Sequence, residues 1–397
     1  MAFQKAQGQK DMKASNIMTV FDLIKQEGEL SRADIAKILK MSATSITRII
    51  SLLSELNIVS ESHLNSQRVG RRSMLLHLTP NVYYFCTAAI DSDQIVLSIF
   101  TMTGEELACK SEPTSGTLRV EEACEILSDL YHKALTSSNL SDDKIVYVGV
   151  SIIGLVDDTK GLSLFVPQFG WKMTQISDQI SRVLQKPVCI NNDVKAMLLG
   201  ILHEMPAYLN RNMVLLHVGT GIGAAYYYNH RIVRGSNNLA GEIGHTLVDP
   251  EGIPCDCGRR GCLQTKIVEK FLIQQAHSQA ISGETLEDIL AQEYEPQVQK
   301  LKQDVISYLS MAICNLDSVF NPDQIIITGT YVDKYPELVG AAIAKAKSNF
   351  FFPGQASLQV VIKDHWNLHH YHLLGMFYSA QQAFVADLVK SNVATPY

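Results

Sequence analysis

The residues best equipped for chemistry are His245, Cys255, Cys257 and Cys262. They fall in one stretch: Gly241-Glu242-Ile243-Gly244-His245, nine further residues, then Cys255-Asp256-Cys257-Gly258-Arg259-Arg260-Gly261-Cys262. Three thiolates and an imidazole suit tetrahedral Zn²⁺, and a full set of four leaves no position open for a reacting water. The expected metal is therefore structural. Glycines between the cysteines let the backbone turn tightly around an ion. The bland alternative is buried, unreactive cysteines beside a packing histidine, because free Cys often behaves as a small core residue. Three of the chain's eight cysteines within eight positions, interleaved with glycines, favour the metal.

A second chemistry, contact with a polyanion, is written near the N-terminus. Ile17, Val20, Phe21 and Ile24 recur at helical spacing between Ala14 and Glu27, and Gly28 ends the run. Ser31, with Asp34 three residues on, is the pattern of a capped helix start, and Ile35, Ala36, Ile38 and Leu39 follow as its buried face. Ser42 caps a third predicted helix with Ile46, Ile49, Ile50, Leu53 and Leu56 on its core side. The opposite face carries Ser42, Thr44, Ser45, Thr47 and Arg48. Short hydroxyl side chains permit close approach to phosphates and base edges, and arginine reaches guanine or phosphate.

Asn65-Ser66-Gln67-Arg68-Val69-Gly70-Arg71-Arg72, followed by alternating Met74, Leu76 and Leu78, suits a β-wing with a basic tip. Arg71 and Arg72 are the candidates for a minor groove, whose narrow walls favour arginine. Together these features predict a winged helix-turn-helix over residues 1–80 that binds double-stranded DNA. A small three-helix protein-binding module is the alternative. Charge agrees with DNA: residues 1–80 carry eleven Lys/Arg against seven Asp/Glu, +4, and the remainder carries −10.

At 397 residues, 46% hydrophobic and 19% charged, the chain is expected to form two or three globular domains. No apolar run approaches the roughly 18–20 residues that span a bilayer, so no membrane insertion is expected. The polar first ten residues lack a signal-peptide core. Cys86, Cys109, Cys124, Cys189 and Cys314 are too scattered for a disulfide framework, and residence in the cytoplasm is expected.

From Tyr83 onward strand-like and helical stretches alternate. Phe85 to Ile90, Ile95 to Phe100, Ile145 to Ile153, Val188 to Ile190, Val214 to Val218, Ala224 to Tyr228 and Gln324 to Gly329 read as strands. Val120 to Leu135 is amphipathic, and a long helical region runs from Lys266 into the 340s, broken at Asn321-Pro322. This is a mixed α/β body in two halves.

Val218-Gly219-Thr220-Gly221-Ile222-Gly223-Ala224, a spacer to Gly235, then Ala240-Gly241-Glu242-Ile243-Gly244-His245 and the cysteines follow in fixed order. This order resembles the bacterial ROK family (repressor, open reading frame, kinase), and the likeness covers nearly the whole chain. With its extra N-terminal segment the chain is similar to the family's repressors of N-acetylglucosamine, glucose or xylose genes. The resemblance implies a two-lobed actin-like (ribonuclease H-like, sugar-kinase) fold behind the winged helix. It would divide into residues 1–80, a first lobe of 81–195 with a C-terminal helix returning over 373–397, and a second lobe of 196–372 with the zinc motif and oligomerisation helices.

Asn192-Asp193 follows a predicted strand, where α/β proteins place ligand groups. Amides and carboxylates read adjacent hydroxyls, so Asn192, Asp193, Glu242 and His245 form a candidate sugar set; a helix N-cap is the alternative for Asn192-Asp193. The resemblance implies that Asp193 is the general base in the kinases, and that one His245 nitrogen ligates zinc while the other faces sugar.

Several positions depart from the kinase pattern. Asp91-Ser92-Asp93-Gln94 stands where the kinases carry Asp-x-Gly-x-Thr-Lys, and Thr328-Gly329-Thr330 where they carry a Gly-Gly pair. Without those glycines the backbone cannot approach phosphates, so a kinase-like body without catalysis is expected. Gln264 replaces the acid usual two residues after the last cysteine and is carried as a sugar-binding candidate. Ile153-Gly154 replaces a Pro-Gly turn, and Gln168 an Asn.

The expected function is that of a DNA-binding transcriptional regulator and not an enzyme: a repressor of carbohydrate uptake or catabolism genes, bound to a palindromic operator as a homodimer or homotetramer and responsive to a sugar or sugar phosphate. The alternatives are an ATP-dependent hexose or N-acetylhexosamine kinase, and a regulator whose effector is a sugar-transporter protein.

Overall fold

The first helix, Gln9–Glu27, buries Ile17, Val20, Phe21 and Ile24 completely, the stripe that its sequence spacing predicts. The second, Arg32–Leu39, begins at a capping box: Ser31 accepts from the Asp34 backbone, and the Asp34 carboxylate accepts from the Ser31 backbone. Lys40 ends it in the left-handed region at φ 52°. The third, Ala43–Glu55, starts at Ser42 and buries Ile46, Ile49, Ile50 and Leu53. A three-stranded antiparallel sheet completes this head, with Met74–Leu78 paired between Leu30–Ser31 and Val59–His63. This is the arrangement of a winged helix. The computed structural model describes residues 9–63, 74–114, 117–350, 359–363 and 367–393, so Arg71 and Arg72, expected from the sequence at the tip of a wing, lie outside the described residues.

The chain forms two compact units. The first comprises residues 1–151, 175–190 and 376–397. Behind the head it holds a five-stranded sheet in the order Val188–Asn192, Ile145–Ile152, Tyr84–Ile90, Gln94–Thr101, Glu106–Pro113. Tyr84–Ile90 is buried along its whole length, so apolar residues stand on both its faces, with Thr87 buried among them. The amphipathic helix Val120–Ser138 packs on Gln94–Thr101 and Glu106–Pro113, burying Leu127, Leu130 and Tyr131.

The second unit comprises residues 152–174 and 191–375. Its main sheet runs Arg231–Ile232, Ile222–Tyr228, Met213–Val218, Gln324–Thr328, Gln359–Ile362. Met213–Val218 pairs antiparallel with Ile222–Tyr228 and parallel with Gln324–Thr328. The long helix Pro296–Phe320 covers this sheet, stacking Phe320 on Tyr226 with ring centroids 3.9 Å apart. A small sheet of Leu155–Asp157, Leu162–Val166 and Trp171–Thr174 belongs to the same unit. All eight cysteines are free thiols, and no helix among the described residues is long and apolar enough to cross a membrane.

Candidate functional site

The metal-ligand set is assembled by a loop that folds back on itself. His245 ends a single 3₁₀ turn, Ile243–His245, and the Cys255 amide donates to Arg259 O at 2.8 Å, closing the Cys-x-Cys turn. Gly261 adopts φ 64°, and a Cβ there would stand 1.5 Å from the Asp249 carbonyl oxygen, so only glycine permits this approach. One ligand atom from each of His245, Cys255, Cys257 and Cys262 then lies within 4.8 Å of the others.

The shape of this set tests the fit to a metal. Cys255 Sγ to His245 Nδ1 and Cys257 Sγ to Cys262 Sγ are both 3.6 Å. Tetrahedral zinc, with Zn–S about 2.3 Å and Zn–N about 2.0 Å, requires S···S and S···N edges of about 3.8 and 3.5 Å. The residues fit, and the sulfur separation is far too long for a disulfide. The set can hold a metal ion, as the sequence spacing predicts. Burial pushes the Cys255 thiol up and Cys262 to about 12. For Cys257 burial acts the same way, but hydrogen bonds from the Arg259 backbone and guanidinium outweigh it and hold this thiol below its ordinary range. Arg259 is thus a neighbour that favours thiolate.

Gln264 lies beside the cluster. Its Nε2 donates to Cys255 Sγ at 3.2 Å, and the side chain is buried, so it braces one member of the candidate set directly.

Asn192 is the N-cap of the helix Asp193–Glu204, its Oδ1 accepting from the Lys195 backbone at 3.2 Å. Its Nδ2 donates to Gly154 O at 2.9 Å and to Asp193 Oδ1 at 2.7 Å. The capping role weighed for this pair is therefore present, and it sets Asp193 at the first helical position.

Glu242 is held by the loop before His245. Gly241, at φ 112°, lets its carbonyl accept from the Ala224 amide at 2.8 Å, and a Cβ on Gly241 would stand 1.9 Å from Ala224 O. Burial pushes Glu242 up to about 7, opposed by the positive charge of Lys195.

Lys195 and Asn238 are the residues that sequence reasoning missed. Lys195 is 3% exposed, and its ammonium donates to the Asn238 carbonyl. Asn238, left-handed at φ 61°, donates Nδ2 to Val156 O at 2.9 Å, and Arg234 pairs with Asp158 at 3.1 Å. These links join the Glu242 loop to the small sheet and to the helix that starts at Asp193. The only local signal was a lysine two residues after Asp193 in an otherwise apolar run, Val194 to Ile201.

The glycine-rich segment Gly219-Thr220-Gly221 is the turn between Met213–Val218 and Ile222–Tyr228, and a Cβ on Gly329 would stand 2.2 Å from Val218 O. In the first unit, Asp91-Ser92-Asp93-Gln94 is a tight hairpin turn. Its Asp91 amide donates to Gln94 O at 3.0 Å and its Ser92 amide to Asp91 Oδ1 at 2.6 Å.

On the third helix of the head, Thr44, Thr47 and Arg48 are exposed and Ser45 is half-buried. Ser42 Oγ accepts from the Ser45 amide at 3.1 Å and lies 2.8 Å from Ser45 Oγ, so both hydroxyls take part in the cap. Thr47 Oγ1 donates back to Ala43 O at 2.9 Å.

A family model described as ROK family matches residues 87–383. The chain belongs to the ROK family. It is 23% identical over 334 residues to a xylose repressor of Caldicellulosiruptor bescii, covering 80% of this chain and 83% of that one. It is 29% identical over 222 residues to a glucokinase of Halalkalibacterium halodurans, covering 51% and 67% respectively. Among solved structures, a ROK family transcriptional regulator described as a homolog of E. coli MLC protein superposes with a TM-score of 0.79 at 21% identity. That match covers 96% of this chain and 99% of the other, so the fold is shared from head to C-terminal helix.

Proposed function

We propose that this chain is a DNA-binding transcriptional repressor of carbohydrate uptake or catabolism genes. The observation that carries the reading is a winged-helix head joined to a ROK body in one chain, matched over 96% of its length by a transcriptional regulator. The working division is a head of residues 1–80, a first lobe of 81–195 with 373–397, and a second lobe of 196–372. Thr44, Thr47 and Arg48 enter the major groove, Ser42 and Ser45 fix the helix N-terminus against a phosphate, and Arg71 and Arg72 reach the minor groove. A palindromic operator requires two heads, supplied by a homodimer or homotetramer acting in the cytoplasm.

The body senses a sugar or sugar phosphate through Asp193, Glu242 and His245, with Asn192 and Gln264 holding their surroundings in place. Zinc at His245, Cys255, Cys257 and Cys262 is structural: when bound it supplies a fixed tetrahedral centre that orients His245. Phosphoryl transfer is not part of the reading. It depends on backbone amides that cradle phosphate, and the Asp91 and Ser92 amides donate to their own hairpin. A second reading, a sugar-transporter protein as effector, is favoured by the engagement of Asn192 and Gln264 with protein atoms.

The test is fluorescence anisotropy of the metal-loaded protein on its own upstream DNA, at fixed salt, against a panel of sugars and sugar phosphates. Tight binding weakened by one sugar supports the repressor and names the effector. Tight binding that no sugar alters supports the protein effector. Absence of specific binding, with ATP turnover lost in Asp193→Asn, overturns the reading in favour of a kinase.

A further inference from the structure

The second unit buries a lysine beside the residues assigned to the effector. Lys195 stands on the first turn of the helix Asp193–Glu204 and is 3% exposed. Its ammonium donates to the Asn238 carbonyl and lies 3.5 Å from Asn238 Oδ1. Asn238 is itself buried and left-handed at φ 61°, and its Nδ2 donates to Val156 O at 2.9 Å. The loop that carries Asn238 is closed at its neck, where the Ala240 amide donates to Arg234 O at 3.0 Å. A buried ammonium is costly unless it is hydrogen-bonded and matched by opposite charge. Burial pulls the Lys195 pKa down, and among the acids that oppose this pull Glu242 acts most strongly, followed by Asp158 and Asp193. Lys195 is thus a fixed positive charge, held by the fold and not by solvent.

Each carboxylate around it already has a partner. Asp158, its side chain 9% exposed, pairs with Arg234 at 3.1 Å. Asp193 Oδ1 accepts from Asn192 Nδ2 at 2.7 Å. Lys195 supplies the positive charge that acts on Glu242. A ligand ammonium entering beside Asp193 and Glu242 would find both matched and would meet the repulsion of Lys195. A ligand hydroxyl carries no such penalty, because it donates to the same carboxylates while staying neutral. A phosphate on the ligand would gain from the same field. Two unit charges about 8 Å apart at an effective dielectric of about 20 change an equilibrium by a factor of about 30, enough to decide between ligands of one shape.

We propose that Lys195 is a specificity-determining residue: it sets the effector site to take neutral or anionic sugars and to reject cationic amino sugars, in which an ammonium replaces a hydroxyl. The inference rests on the reading of Asp193 and Glu242 as sugar ligands, and it narrows that reading from sugars at large to one charge class. Lys195 acts through its charge and not by contact, since it is enclosed against Asn238.

The experiment is titration calorimetry on the full-length, metal-loaded chain at fixed salt. Glucose, mannose and galactose are compared with glucosamine, mannosamine and galactosamine at about pH 7, below the range of such amines, so that the amino sugars are mostly cations. Two variants accompany the wild type: Lys195→Gln keeps a donor for the Asn238 carbonyl and loses the charge, and Lys195→Arg keeps the charge. The wild type is expected to bind a hexose about tenfold or more tightly than its amino counterpart. Lys195→Gln is expected to move that ratio about tenfold towards the amino sugar, and Lys195→Arg to leave it within about twofold of the wild type. Equal loss of affinity for both sugars in Lys195→Gln, with the ratio unchanged, makes Lys195 a purely structural residue and overturns the proposal. A wild type that prefers the amino sugar overturns it too, and that result depends on no variant folding. A ratio that shifts in Lys195→Arg as it does in Lys195→Gln counts against charge and has the same consequence. Binding of none of these sugars by the wild type also overturns it, and the wider panel of sugars and sugar phosphates then decides separately whether the sugar reading stands.

Discussion

Replacing Cys257 with serine removes one corner of the four-ligand set. The two 3.6 Å edges match a tetrahedron, so each ligand is already placed and little strain accompanies metal entry. Structural zinc sites carry apparent binding free energies of about 10–16 kcal/mol, or about 3 kcal/mol for each of four ligands. At 1.4 kcal/mol per decade, Cys257→Ser should weaken zinc binding by about two orders of magnitude. Chelator competition measures the dissociation constant, and elemental analysis measures stoichiometry, expected at one zinc per chain in the wild type. Hydrogen exchange across residues 243–266 should accelerate in the variant, because the loop is otherwise held by short-range bonds such as Cys255 N to Arg259 O. The reasoning fails if Cys257→Ser retains wild-type zinc affinity. It fails equally if zinc-free wild type shows the same melting temperature and the same exchange over this loop as the loaded protein.

Three further outcomes are expected. Gly241→Ala places a methyl 1.9 Å from Ala224 O at φ 112°, and should cost about 3 kcal/mol or more in urea unfolding, with faster exchange at Glu242; a cost below about 1 kcal/mol contradicts the packing argument. Arg48→Ala should weaken operator binding by about 1–3 kcal/mol and relax discrimination at one base pair, whereas an equal loss on every sequence would make Arg48 a phosphate contact. Asp157 accepts from Thr159 Oγ1 at 2.6 Å and from the Lys160 amide, which hold its carboxyl down at about 2. Its stabilisation is therefore present above the unfolded carboxylate range and is lost as pH falls towards 2. The stability gap between wild type and Asp157→Asn should close over that window; a gap that is constant with pH refutes the assignment.

What the sequence alone determined was local. His245, Cys255, Cys257 and Cys262 lie within one short stretch, so their types and spacing expose directly a set that can hold a metal ion. The caps at Ser31 and Ser42 and the apolar stripe Ile17, Val20, Phe21, Ile24 were equally legible, because a helix start and a helix face are set by residues three or four apart. The alternation of strands and helices announced two α/β halves, and the glycine order in residues 218–245 announced the family.

Tertiary structure alone decided which polar side chains are free to meet a ligand. Asn192 reads as a sugar ligand or as a cap, and only the nearby Gly154 carbonyl shows how its amide is held. Gln264 reads as a hydroxyl binder until Cys255 Sγ is found beside it. Nothing in the near sequence names the partner of Lys195 or Lys25; the first is buried against Asn238, 43 positions away, and the second against Tyr378, 353 positions away. The physical reason is the same in each case. Local propensity depends on near neighbours in the chain, whereas burial of a charge depends on which distant partners the fold brings to meet it.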